Sequence, residues 1–205
     1  MDLGTAITGS FSAGISMYGV IAALGIAGRL DAIDAPTILE RPVVIALALL
    51  LFAVEFVVDK VPVLDSVWDT VHAVLRPIAG AVILGATPDQ DLPVVVAGAI
   101  GAGLAFTSHS AKSATRLLVN TSPEPVSNVA VSTLEDGLVA GLMALAFANP
   151  EVALAITLVL VVVAIGLIVL AWRVGRRLRR RFSGRRGAAG PAGSPPTPGR
   201  APRAP

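Results

Sequence analysis

Two stretches of this sequence set ionisable side chains at helical spacing inside otherwise apolar surroundings. In the first, Glu55 and Asp59 are four residues apart, Lys60 follows, and Asp65, Asp69, His72 and Arg76 step by four, three and four. Residues three and four apart share a helix face, so this spacing predicts a stripe of carboxylates carrying one imidazole and one guanidinium. In the second, His109, Lys112, Arg116 and Asn120 step by three, four and four, which predicts a basic face. Ser122, Glu124 and Asn128 continue the polar run around Pro123 and Pro125, and Glu135 and Asp136 come next. An unpaired charge in hydrocarbon costs at least ~2.5–3.5 kcal/mol on insertion scales. The two stripes are therefore expected to pair and to line a polar seam. Glu55, Asp59, Asp65 and Asp69 would be its cation- or proton-handling side. His109, Lys112, Arg116 and Asn120 would balance them or bind an anion. His72 is the group in its segment whose unperturbed pKa lies near neutral pH.

The elements that must carry these residues are helices in a membrane. The 205 residues are 54% hydrophobic and 15% charged, against roughly 45–50% and about 25% in an ordinary soluble domain. Aromatics are only 4%, so the apolar content is aliphatic and small, as in closely packed membrane helices. Six apolar segments are read, at about 3–27, 42–58, 63–84, 92–107 (extending as a helix towards 118), 129–148 and 152–172. The last has about the 20 residues needed to cross ~30 Å of hydrocarbon. Pro42, Pro93 and Pro150 each stand near the start of a segment, where a missing N–H costs nothing. Pro123 and Pro125 require a helix break between the fourth and fifth segments. The expected fold is an all-α transmembrane bundle over residues 1–172, with the first segment allowed to be broken or re-entrant. A disordered, Arg-, Pro- and Gly-rich tail over 173–205 completes it.

Charge sorts along the chain. Residues 173–205 hold ten of the sixteen Lys and Arg and no acid, which leaves residues 1–172 at −8. The basic run from Arg173 to Arg181, directly after the last apolar segment, favours a cytoplasmic C-terminus. It is read as contacting anionic lipid head groups, at about 1 kcal/mol per basic residue near the surface, and not as a nucleic-acid site. No Lys or Arg precedes Leu3, so the N-terminal stretch is read as part of the membrane domain and not as a secretory signal. Without cysteine, disulfides and thiolate chemistry are excluded. No His-x-x-x-His or comparable spacing occurs, and no cofactor or metal is expected. Gly98, Gly101 and Gly103 read as helix-packing residues and not as a phosphate loop, since no strand precedes them.

The residues Phe56-Val57-Val58-Asp59-Lys60-Val61-Pro62, Asp65-Ser66-Val67-Trp68-Asp69 and Arg76-Pro77-Ile78-Ala79-Gly80 resemble the signature of the bacterial DUF4126 membrane proteins. So do His109-Ser110-Ala111-Lys112, Thr115-Arg116, Asn120-Thr121-Ser122-Pro123-Glu124-Pro125, Ser127-Asn128 and Glu135-Asp136. The resemblance covers about residues 10–172 and leaves out the tail. It implies a bacterial inner-membrane protein and no particular activity.

The residues themselves favour a small transporter or channel-like protein for an ion or small polar solute, without enzymatic turnover. A chain this small often needs a partner copy to enclose a pathway, which points to a homo-oligomer. The rival is a non-catalytic membrane scaffold whose charges are structural and whose tail binds lipid. A third reading, an enzyme acting on a lipid head group with Asp–His as acid/base and Arg as phosphate clamp, finds no supporting motif.

Overall fold

The computed structural model describes the backbone of residues 1–87, 91–119 and 125–188. Side chains are described for these except at 62, 63, 65, 66, 117–119, 125–128 and 178–188. The described residues form seven helices and no strand: α1 (Leu3–Ala13), α2 (Met17–Arg29), α3 (Pro42–Val58), α4 (Pro62–Gly85), α5 (Val94–Val119), α6 (Pro125–Ala148) and α7 (Pro150–Ala188). Pro42, Pro62, Pro125 and Pro150 are each the first helical residue of their element, the position where proline's fixed φ fits and its missing N–H is no loss. The break expected around Pro123 and Pro125 falls between the end of α5 and the start of α6.

Four of the described helices are long and apolar enough to cross a membrane, over Val67–Gly85, Val94–Arg116, Val129–Ala148 and Pro150–Arg177. The shorter apolar helices Met17–Arg29 and Pro42–Val58 accompany them. This is a membrane protein, built as a helical bundle. Its outward surfaces carry aliphatic side chains such as Val43, Leu50, Val95, Val159 and Val162, all more than half exposed.

The first apolar segment is not one helix but two. α1 has 11 residues, all but two of them buried, and at ~1.5 Å per residue it reaches only about half-way through a bilayer core. Asp2 caps it, accepting from the Thr5 N–H at 2.8 Å. α1 packs against α2, α4, α5 and α6. A helix enclosed on so many sides must be small and weakly polar all round, and α1 reads Gly4, Thr5, Ala6, Thr8, Gly9, Ser10, Ser12 and Ala13. Its hydroxyls tie it to its neighbours: Thr5 donates to the Ala146 carbonyl at 3.0 Å, Ser10 to the Gly80 carbonyl at 3.1 Å, and Thr8 shares a 3.1 Å hydrogen bond with Thr157 of α7. Such interhelical bonds hold membrane helices together where lipid removes the hydrophobic drive.

Residues 14–16 interrupt the segment. A β-carbon on Gly14 would run into the Ala105 carbonyl and the Ser108 hydroxyl of α5, so only glycine lets the two chains approach here. The same device sets the α4–α5 crossing, where a β-carbon on Gly80 or Gly101 would strike the other's carbonyl. Gly98 lies against Ala81, while Gly103 faces open space; of the three glycines assigned to packing, two pack.

By its internal contacts the chain divides into two compact units, Met1–Ala171 and Trp172–Pro205. In the second, the Arg176 guanidinium lies 4.5 Å from the centre of the Trp172 ring, a cation–π contact. The tail expected to be disordered from Arg173 continues α7 as a helix to Ala188, and from residue 189 it lies outside the described residues.

The crossing yields a direct test. Gly101→Leu should lower stability by about 1–3 kcal/mol through overpacking, and Gly103→Ala should change it by less than about 0.5 kcal/mol. Thermal unfolding in detergent measures both, and equal effects would contradict the crossing described.

Candidate functional site

The interruption in the first segment is where the charged residues converge. Arg76, on α4, has no exposed surface. Its Nη2 donates to Glu55 Oε1 of α3 at 2.9 Å, and its Nη1 to Asp69 Oδ1, two helical turns earlier on α4, at 3.2 Å. Nη1 also donates to the Gly14 carbonyl at 3.4 Å and lies 2.7 Å from His109 Nδ1 of α5. A guanidinium only donates, so His109 Nδ1 is the acceptor and the ring proton sits on Nε2. The second oxygen of Glu55 accepts from the Ser16 hydroxyl at 3.1 Å.

One turn along α5 stands the second centre. Lys112 Nζ donates to Asp59 Oδ2 at 2.6 Å and to the Ile15 carbonyl at 3.0 Å, with Glu135 Oε2 of α6 at 3.9 Å. Arg116, a further turn on, reaches Asp59 Oδ2 at 3.2 Å and Glu135 Oε2 at 3.1 Å. Asp59 ends α3 and is 1% exposed. Burial works against its charged form, but Lys112 and Arg116 outweigh that and hold its carboxyl below the ordinary aspartate value. At the rim, Lys60 approaches Asp136 at 3.6 Å, donates to the Phe56 carbonyl at 3.0 Å and sits over the Phe56 ring.

Helix polarity explains the sorting of sign. The end of α1 leaves carbonyls without helical partners, and a helix C-terminus carries partial negative charge. The Gly14 and Ile15 carbonyls meet the two buried cations Arg76 and Lys112. The start of α2 carries the opposite partial charge, and there the carboxylate Glu55 meets Ser16, the residue before Met17. A broken membrane helix whose freed carbonyls face a polar centre is tolerated only where protein or a wet cavity surrounds it.

Of the residues singled out by spacing, Glu55, Asp59, Lys60, Asp69, Arg76, His109, Lys112, Arg116, Glu135 and Asp136 come together in this network. His72 takes a different place. Its Nδ1 donates to the Trp68 carbonyl at 2.8 Å, its Nε2 accepts from the Tyr18 hydroxyl at 3.1 Å, and its ring stacks on Trp68 with centres 4.5 Å apart. It thus ties α4 to α2 beside the ion pairs. The side chains of Asp65 and Asn128, and all of Asn120, Ser122 and Glu124, lie outside the described residues. Spacing did not point to Gly14, Ile15, Ser16 or Tyr18. The signal was a glycine between two serines, Ser12 and Ser16, in mid-segment, which marks a weak point in a helix.

A family model described as "Domain of unknown function (DUF4126)" matches residues 3–170. The chain belongs to the DUF4126 family. The match takes in every residue of the charged network and stops two residues short of Trp172, so the network is part of the family's domain and the Arg-rich tail is not. No curated protein and no solved structure matches the chain.

The geometry predicts coupled energetics. Removing one partner of a buried ion pair costs about 3–5 kcal/mol, whereas replacing both with apolar groups is often neutral. Lys112→Met and Asp59→Asn should each destabilise strongly, and the double variant should cost clearly less than the sum. Additive losses in thermal unfolding would show that the two do not act as a pair. Because the carboxyl of Asp59 is held below its ordinary value, this contribution is complete at neutral pH. It is lost only as pH falls below the ordinary aspartate range.

Proposed function

We propose that this chain moves an ion or small polar solute across the membrane through the charged centre at the α1–α2 break. The observation that carries the reading is the pair of freed carbonyls, on Gly14 and Ile15, meeting buried cations in the interior of the bundle. Discontinuous helices whose ends face a site near the middle of the bilayer are a recurrent way of building ion and solute sites in transporters. Charge bookkeeping adds the sign. Five carboxylates (Glu55, Asp59, Asp69, Glu135 and Asp136) face four cations (Lys60, Arg76, Lys112 and Arg116), so the network carries −1 when all are ionised. The charged residues between 60 and 128 whose side chains are not described, Asp65, Asp89 and Glu124, are all acids. A proton or a small cation is therefore the favoured cargo, and no enzymatic turnover is assigned.

The finer placement belongs to the same proposal. The membrane is the bacterial inner membrane, the C-terminus is cytoplasmic, and the basic run from Arg173 meets anionic lipid head groups. A second copy of the chain would help enclose the pathway. The close pairing of the buried charges also fits a scaffold, in which they serve only as structural glue between helices.

Flux separates the two. In proteoliposomes under a pH or monovalent-cation gradient, the wild type should give a charge-movement signal on a solid-supported membrane. Asp69→Asn and Arg116→Gln should abolish it while the purified variants still elute as folded protein. Unchanged flux in both folded variants, or no wild-type signal under any gradient, would favour the scaffold.

A further inference from the structure

Beside the charged centre lies a cavity that the transport reading does not use. It has a volume of about 330 Å³ and is walled by α1, α5, α6 and α7, through Phe11, Ala111, Leu138, Leu160 and Ala164 among others. Its mouth is formed by Leu134 and Val163, which are 73% and 50% exposed. Both mouth residues fall within apolar spanning windows, so the medium outside is lipid and not water. Apolar cavities stay dry, and one of about 150 Å³ takes up a six-carbon ring. By that measure 330 Å³ accepts a hydrocarbon of about twice that size. A neighbouring chain's helix does not fit, because a helix about 10 Å across needs roughly 400 Å³ for a single turn.

Lys112 and Glu135 are the charged residues of its lining. An ammonium has three N–H donors. Lys112 uses one on Asp59 and one on the Ile15 carbonyl, while Glu135 at 3.9 Å is too far to accept the third. That third donor calls for an oxygen acceptor in the cavity. Lys112 lies within the apolar window of α5, four residues or ~6 Å before its end at Arg116. Ester carbonyls lie at the edge of the hydrocarbon, so the glycerol end of the lipid dips about one helical turn into the bundle to reach it.

We infer that this cavity binds one acyl chain of a membrane lipid, with the chain against α6 and α7 and its ester oxygen accepting from Lys112. The inference does not depend on transport, since it rests on the cavity's walls and on the unfilled donor. A bound chain would close the lateral opening next to the Lys112–Asp59–Glu135 cluster and keep water from reaching it through the bilayer.

The test is photolabelling in phosphatidylcholine vesicles that contain a small fraction of the same lipid with a mid-chain diazirine. Adducts are mapped by peptide mass spectrometry. In the wild type, label should appear on the cavity residues Phe11 and Leu160 as well as on the outward residues Val159 and Val162. Ala164→Phe, and independently Ala111→Phe, fill the cavity and should lower label on Phe11 and Leu160 by about tenfold. Label on Val159 and Val162 should persist, and thermal unfolding in detergent checks that each variant is folded. Absence of label on Phe11 and Leu160 in the wild type would overturn the proposal. So would undiminished label there in either folded variant.

Discussion

Ending a helix inside a membrane bundle is the constraint on which the rest of this structure depends. After Ala13 the chain stops being helical for three residues, inside a bundle where freed carbonyls must find partners in the protein or in a wet cavity. Something buried must donate to them, and Arg76 and Lys112 do. Two buried cations then need anions, which Glu55, Asp69 and Asp59 supply, and Asp59 in turn is shared with Arg116. The network on α3, α4, α5 and α6 is thus a chain of consequences from one break. Its sign pattern, cations at the end of α1 and a carboxylate at the start of α2, follows the partial charges of the two helix ends.

Packing makes those contacts reachable. Gly14 brings the break against α5, and Gly80 with Gly101 brings α4 and α5 together, so that Arg76 and His109 lie within a hydrogen bond of one another. α1 is filled with small residues and hydroxyls because helices on most sides leave no room for more. Around α6 and α7 the packing leaves space beside Lys112, a buried cation that also lines it. Tight contact thus builds the charged centre on one side of Lys112, and looser contact leaves the acyl-sized cavity on the other.

Much of this was legible in the residues. Proline placed the starts of α3 and α7, three-and-four spacing grouped the ionisable side chains, and Gly98 and Gly101 were legible as packing residues. What spacing could not convey is partnership between elements. His72 shares a stripe with Arg76, yet its ring is held by Tyr18 and Trp68, because the direction of a side chain depends on which neighbour packs against that face. Nor do backbone carbonyls appear in a pattern of side-chain types, so the roles of Gly14 and Ile15 emerged only once the break brought them against Arg76 and Lys112. A break in the first apolar segment was allowed but not placed, because hydropathy does not register a three-residue interruption made of Gly, Ile and Ser.

The central claim is that the break is a site that opens to water and not a sealed structural joint. The chain has no cysteine, so single substitutions report cleanly. Ser16→Cys lies at the break, and Ser10→Cys lies on α1 against Gly80; both serines are now buried. In proteoliposomes, a membrane-impermeant, positively charged thiol reagent should modify Ser16→Cys at least about tenfold faster than Ser10→Cys. Equal protection of the two positions in folded protein would contradict the account and leave the charged centre as structural glue.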